Sequence, residues 1–445
     1  MLFAGTDAVK DESAGEGSAA GGAVAAGPRE PPRVRRPDRR QVLLTPCCLE
    51  ELLPADHGAR AVWSVVERLD LSAFYEGLAA RGEEPGRPAT DPKLLTALWL
   101  YAMVEGIGSG REIVRRCECQ DAFRWLCGGV PVNYHTLNDF RVGDEQALDD
   151  LFTQVLAVLM HKQVVSVRRI AQDGTKVRAD AGRHTFRREG TLQRLLEEAR
   201  QHVAAVKAQA DDAAASAWQR AAQERAARER AERIEAALAE LPMIGADQQQ
   251  SKRPDVRAKQ PAASTTDAEA RVMKMPDNGY RPAYNVQLAT DPVSRAIVGV
   301  DVTNARSDHA EAGPMRAQVE RRSGAKVEEH LVDGGYVQLS DIEQAEAAGT
   351  RVYAPPPRSR TDARAFEPKR SDGPGVAAWR VRMGTTEAKS IYSQRAATVE
   401  TVNADLKRYR GLSRFAVRGL RKVQCQALWA ALAYNLMHFA AVLLA

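Results

Sequence analysis

Apolar residues recur at three- and four-residue intervals through Leu94, Leu95, Leu98, Tyr101 and Ile107, which is the spacing of one buried helix face. Gly106, Gly108 and Gly110 end that helix, and Arg111–Cys127 starts another. The helical pattern holds from Val42 to about Met160. Inside it, a Pro-Val-Asn turn at 131–133 feeds a short helix carrying His135, Asn138 and Arg141 toward one side. That layout resembles the turn and second helix of a helix-turn-helix unit.

Beyond Met160 the period changes. Arg168 to Gln172 reads as a strand ending at Asp173-Gly174. From about Thr191 to Leu241, Ala, Glu, Arg and Gln dominate, with Leu192, Leu196, Ala199, Val203 and Val206 spaced for one face. This predicts one long helix or a helical hairpin, breaking near Asp211-Asp212 and ending at Pro242. A polar linker covers 245–265. Ala283–Thr290 alternates like a strand, and Ala296–Val302 follows at hairpin distance. Ser307–Arg321 reads as a helix whose Asp308 and Glu311 fit a capping box, giving Asp308 and His309 a structural part. Lys326–Asp333 is the next strand, Ser340–Ala348 a helix, Thr350–Ala354 a strand, and 355–383 a Pro/Gly/Arg-rich loop. Without the helical excursion, the order is a three-stranded meander followed by alternating helix and strand. It resembles the ribonuclease-H-like arrangement, in which the first and fourth strands lie side by side.

Composition narrows the picture only slightly. A chain of 445 residues can bury a large core and more than one domain. Its formal net charge of +5 permits nucleic-acid binding without requiring it. The distribution says more. Arg33, Arg35, Arg36, Arg39 and Arg40 form a basic arm, and Arg408, Arg410, Arg414, Arg418, Arg421 and Lys422 a second cluster. Residues 1–30 are rich in Gly, Ala and acids, the composition of a disordered segment. Six cysteines at 47, 48, 117, 119, 127 and 425 fit no zinc spacing or disulfide framework, so core thiols in a reducing compartment are expected. The last eighteen or so residues are apolar, but Asn435 and His438 interrupt them, which predicts a buried helix and no membrane span. A cytoplasmic protein is expected.

The candidate chemistry lies in Tyr392-Ser-Gln-Arg395-Ala-Ala-Thr-Val-Glu400-Thr-Val-Asn-Ala-Asp-Leu-Lys407. On an ideal helix Glu400 and Lys407 fall within about 20° of each other, Tyr392 about 80° from Glu400, and Arg395 about 140° from it. Hydrolysis or transfer at a phosphodiester needs an activated oxygen nucleophile and relief of charge on the leaving oxygen. Two hard divalent cations held by carboxylates can serve both ends. Asp173, Asp333 and Glu400 are the three acids whose positions suit that task, with Asp173 bridging. Asp180 and Asp301 are rivals.

Together, Asp173-Gly-Thr-Lys176, Tyr280-Arg-Pro-Ala-Tyr-Asn-Val-Gln287, Asp333-Gly-Gly-Tyr336, the 392–407 stretch, Arg410–Gly419 and Ala433-Tyr-Asn-Leu436 resemble the transposases of bacterial insertion sequences. The likeness is to the branch marked by a Tyr-Arg-Glu-Lys signature, although four residues separate Arg395 from Glu400 where that signature has three. The resemblance implies an enzyme that cuts DNA at inverted-repeat ends and joins a 3′-hydroxyl to target DNA. It implies Asp173, Asp333 and Glu400 as ligands of Mg²⁺, with Mn²⁺ able to substitute. Tyr392, Arg395 and Lys407 would contact DNA near the cut, and His135, Asn138 and Arg141 would contact it through the helix-turn-helix-like unit. Trp379 in the 355–383 loop is a candidate for base stacking.

The expected fold is α+β or α/β: an N-terminal helical domain, then a ribonuclease-H-like mixed sheet flanked by helices, with a long helical excursion after the first strand. The expected boundaries are 1–40 disordered with the basic arm at its end, 41–162 helical and DNA-binding, and 163–445 catalytic. The last contains a helical insertion and linker at 190–260 and a loop insertion at 355–383. Double-stranded DNA and a homodimeric complex are the expected partners. The alternatives are a metal-dependent endonuclease without strand transfer and a non-catalytic DNA-binding relic.

Overall fold

The computed structural model describes residues 48–78, 88–208, 217–251, 253–357 and 364–445, and 48–445 form one compact unit. The expected disordered start, the arginine arm at 33–40, Cys47 and the expected break at Asp211-Asp212 lie outside the described residues. The helices α1 (Gly58–Val66), α2 (Ser72–Glu76), α3 (Pro92–Val104), α4 (Gly110–Cys119), α5 (Asp121–Cys127), α6 (Tyr134–Gly143) and α7 (Glu145–His161) come first. Strands β1 (Arg169–Arg178) and β2 (Phe186–Arg188) precede helices α8 (Glu189–Ala208), α9 (Ala217–Gln249) and α10 (Pro254–Arg257). Next come β3 (Ala262–Ser264), β4 (Arg271–Lys274), β5 (Tyr280–Thr290), β6 (Ile297–Thr303), α11 (Ala312–Ser323), β7 (Glu329–Leu331), α12 (Leu339–Ala347) and β8 (Arg351–Tyr353). Helices α13 (Pro374–Gly384), α14 (Thr386–Tyr409) and α15 (Leu420–Leu444) follow.

The main sheet runs β6-β5-β1-β7-β8, with β4 paired to the start of β5. β1, β5 and β6 are antiparallel neighbours, while β7 and β8 run parallel to β1. This is the ribonuclease-H-like order, with the first and fourth strands of the core adjacent. The alternation in β5 explains its two faces. Tyr284, Val286 and Leu288 enter the large hydrophobic core, and the polar Asn285 and Gln287 take the opposite face, also fully buried.

One strand boundary differs from expectation. β1 does not stop at Asp173 but continues to Arg178, because β5 keeps pairing with it as far as Arg178↔Ala283. β7 pairs with β1 only from Arg169 to Ala171. Past that point β1 has an open edge on the β7 side, and Asp173 stands at the start of it.

Helix α15 is the spine of the core. It packs on α1, α3, α6 and α7 on one side and on β6 on the other. By length and composition it could cross a membrane, yet every residue from Val423 to Leu436 is buried within the protein. The two polar residues in its apolar run have partners. Asn435 accepts from the Ile297 backbone N–H at 2.9 Å and donates to the Ile297 carbonyl at 2.8 Å, anchoring the first residue of β6. The His438 ring stacks on Tyr434. Gly106 and Gly411 both take positive φ, and their backbones approach so closely that a Cβ on Gly106 would lie 3.0 Å from the Tyr409 carbonyl oxygen. Of the described cysteines, Cys127 and Cys425 are core thiols, Cys117 is half-buried, and Cys48 and Cys119 are exposed.

The helical excursion is a hairpin of α8 and α9. Leu192, Leu196 and Ala199 pack against Ile234, Ala237, Leu241 and Ile244, and the two-stranded β2–β3 ribbon lies at the base. Pro242 does not end α9, which runs through to Gln249. In the expected loop at 355–383, residues Pro374–Gly384 form α13. Its first N–H groups are bound by a carboxylate from another helix: Gly375 and Val376 donate to Glu343 at 3.0 and 2.9 Å. Trp379 is fully buried there, its indole donating to the Ala354 carbonyl, so it offers no surface for a base to stack on.

Candidate active site

The site begins where β1 outruns β7. Asp173 lies two residues past the last β1–β7 pair, and Asp333 two residues past the end of β7. Parallel pairing therefore brings together two carboxylates 160 positions apart in the chain. Asp333 caps a short turn, accepting from the Gly335 backbone N–H at 2.7 Å. Asp173 is largely enclosed. Burial raises its carboxyl above the ordinary aspartate value, Arg395 pulls it back down, and the nearby charges of Asp333 and Asp308 add to the rise.

Helix α14 closes over this edge. Thr385 caps it, its hydroxyl accepting from Ala388 N–H, and Val399, Val402 and Leu406 bury its inner face. Arg395 reaches Asp173 at 3.4 Å and lies 5.9 Å from the centre of the Tyr392 ring. Asn403 donates to the other Asp173 oxygen at 3.1 Å. Its own carbonyl oxygen is buried without a hydrogen-bond partner. Lys407 is half-buried; burial lowers its pKa, Asp173 opposes that, and Lys176 adds to it. Glu400 is exposed on the same helix, and no hydrogen bond or ion pair links it to either aspartate. Among the described residues, no three His, Cys, Asp or Glu side chains stand close enough together to hold a metal ion. Asp173 and Asp333 come together; Glu400 does not join them. The oxygen-only donors around Asp173, including the unpartnered Asn403 carbonyl, nevertheless suit a hard divalent cation.

Sequence reasoning missed Asp308. It caps no helix, because α11 begins only at Ala312. One of its carboxylate oxygens instead accepts from Asn285 at 2.7 Å, Gln287 at 2.8 Å and Lys176 at 3.2 Å. Gly174 faces Gln287 across the β1–β5 pair, and a Cβ added there would collide with that same oxygen. Only glycine leaves the acid room. The Gln287 carbonyl oxygen accepts from the Tyr336 hydroxyl at 2.5 Å, and Tyr336 belongs to the turn that Asp333 caps. Asp308 thus reaches the Asp333 turn through Gln287 and Tyr336. The signal in the sequence is the polar alternation in Asp173–Lys176 and in Asn285–Gln287.

Glu311, on the same loop, is raised to about 7 by burial and by the charge of Asp301. The folded state then binds this proton more tightly than the unfolded chain does. Its contribution is therefore most favourable below the ordinary carboxyl range and is lost as pH rises toward about 7. Glu311→Gln is expected to raise the melting temperature at pH 8 and leave it nearly unchanged at pH 4, which thermal melts at the two pH values would check. Equal shifts at both would exclude titration as the cause.

The three helix-turn-helix candidates separate. His135 is exposed at the start of α6, and Asn138 is half-buried against Gly110. Arg141 turns inward instead of toward solvent. Its guanidinium donates to the Gly108 carbonyl at 2.6 Å and stacks 4.6 Å from the centre of the Trp99 ring. Burial lowers its pKa to about 10. It braces the helix from inside and has no face for DNA.

Residues 253–436 match the family described as transposase DDE domain, and residues 47–143 match the transposase domain (DUF772). The first match runs from α10 into α15 and takes in Asp308, Asp333 and Glu400; the second covers α1 to α6. No curated protein and no solved structure matches the chain. With these two domains in one chain, the protein belongs to the DDE transposases of insertion sequences, phosphoryl-transfer enzymes that act on DNA with a divalent metal ion.

Proposed function

We propose that the protein cuts DNA at the inverted-repeat ends of its element and joins the freed 3′-hydroxyl to target DNA, in the manner of the Tyr-Arg-Glu-Lys branch. The observation that carries this reading is the meeting of Asp173 and Asp333 at the open edge of β1, under a helix bearing Glu400 and Lys407. Asp173, Asp333 and Glu400 would hold Mg²⁺, or Mn²⁺ in its place. When bound, such ions activate the attacking oxygen and stabilise the leaving one.

The chain's own groups do the rest. Lys407, a half-buried cation beside Asp173, binds the phosphate under attack and balances its charge. Arg395 opposes the rise that burial imposes on the Asp173 carboxyl and, together with Asn403, fixes its direction. Tyr392 and Arg395 line the DNA near the cut, and His135 and Asn138 contact it from α6. We assign end recognition to the helical region within 41–162 and catalysis to 163–445. The active form is a homodimer on duplex DNA in the cytoplasm.

The test is an assay with inverted-repeat duplex, supercoiled target plasmid and Mg²⁺. The expected product is a repeat end joined covalently to the target through its 3′-hydroxyl. Glu400→Gln is expected to remove both cutting and joining while duplex binding persists. Cutting without joined product would favour the endonuclease reading, and wild-type binding without cutting the relic.

A further inference from the structure

A cationic recess lies where the helical hairpin meets the body of the protein. Arg230 and Arg233 of α9, Thr265 and Thr266 after β3, and Arg418 line a cavity of about 390 Å³. Neither Arg230 nor Arg233 has a hydrogen-bond or ion-pair partner among the described residues, and both are exposed. A free arginine on a helix ordinarily marks a solvated face. These two differ because they border a concavity whose other wall carries a third guanidinium and two threonines.

The third guanidinium is held in place. Arg418 pairs with Asp180 at 2.9 Å, and Arg414 pairs with the same carboxylate at 2.7 Å. Asp180 lies just past the end of β1, and the Arg414–Phe415 segment runs beside that end, with Phe415 N–H donating to the Arg178 carbonyl at 2.8 Å. Lys176, Arg178, Arg414 and Arg418 therefore carry positive charge from the Asp173 edge along β1 toward the recess. From Asp173 to Arg178 the strand covers about 17 Å at about 3.3 Å per residue. That length corresponds to about five base pairs of duplex measured along the helix axis.

We propose that this recess is a docking site for the DNA backbone, in which Arg230 and Arg233 bind a phosphodiester of the duplex leaving the catalytic edge along β1. The guanidinium fork matches two phosphate oxygens, and the threonine hydroxyls supply further donors. The hairpin is then a clamp on the DNA. This inference rests on the reading of the Asp173 edge as the place where DNA is cut.

The experiment measures binding of the full-length protein to labelled duplex DNA across a series of NaCl concentrations. Arg230→Gln/Arg233→Gln is compared with wild type and with Arg220→Gln/Arg225→Gln, which removes equal charge from the same helix outside the recess. The recess double variant is expected to bind about tenfold or more weakly at about 0.15 M NaCl. Its slope of log affinity against log salt should be shallower by about 1, at about 0.9 for the one phosphate no longer neutralised. The control variant should keep most of the wild-type affinity and slope. Wild-type behaviour in the recess variant, or an equal loss in the control, would overturn the proposal while leaving DNA cleavage at Asp173 intact. Absence of duplex binding by the wild type would instead overturn the reading beneath it. Both variants change surface side chains, and thermal melts would establish that they fold.

Discussion

Asp173→Asn is expected to abolish metal-dependent DNA cleavage, by at least about a thousandfold, while duplex binding stays near wild type. The substitution keeps the shape of the side chain and its reach to Asn403, but removes the charge. Loss of several kcal/mol of charge stabilisation at about 1.4 kcal/mol per tenfold gives that magnitude. Binding should hold or tighten, because one negative charge leaves the neighbourhood of the DNA phosphates. Asp173 is the strongest choice for this test because Arg395, Asn403, Lys407 and Asp333 all interact with it. The measurement is cleavage of labelled repeat-end duplex alongside an affinity titration. Retained cleavage would remove Asp173 from the catalytic set.

Trp429→Ala is expected to remove a large fraction of the protein's stability. Trp429 is fully buried in the middle of α15, its indole N–H donates to the Arg141 carbonyl at 3.0 Å, and its ring lies 6.2 Å from that of Phe140. Truncation leaves a cavity and an unpaired carbonyl between α15 and α6, a cost of about 3–5 kcal/mol. Trp429→Phe keeps most of the volume and should cost much less. Urea denaturation reads the difference as a lower midpoint for the alanine variant. Equal midpoints for wild type and Trp429→Ala would mean that the helix interface repacks freely.

Much of the fold is legible from the chain because period and chemistry agree. Tyr284, Val286 and Leu288 alternate with Asn285 and Gln287, so β5 declares both its strand and its two faces. Asp173 after the apolar start of β1, Asp333 after β7, and the strand order between them predict the meeting of the two aspartates. What escapes is set by partners distant in sequence. Asp308 has the spacing of a helix cap, but its donors lie on β1 and β5. Helix α13 carries no cap of its own, because Glu343 supplies it from α12. Arg141 reads as a surface cation until Trp99 and the Gly108 carbonyl are seen to receive it. Glu400 belongs with the two aspartates by sequence, and no ion pair or hydrogen bond joins it to them.

Helix α15 also bears on the order in which the protein can be made. Its residues 420–444 complete the core of helices α1, α3, α6 and α7, which leave the ribosome more than 250 positions earlier. Those helices pack on one another directly, but the apolar faces they turn toward α15 stay uncovered until it arrives. Any product that stops short of Leu420 presents that apolar surface open to solvent, a target for proteases and chaperones. The hydrophobic core is therefore completed only after α15, at the far end of the chain, has been translated.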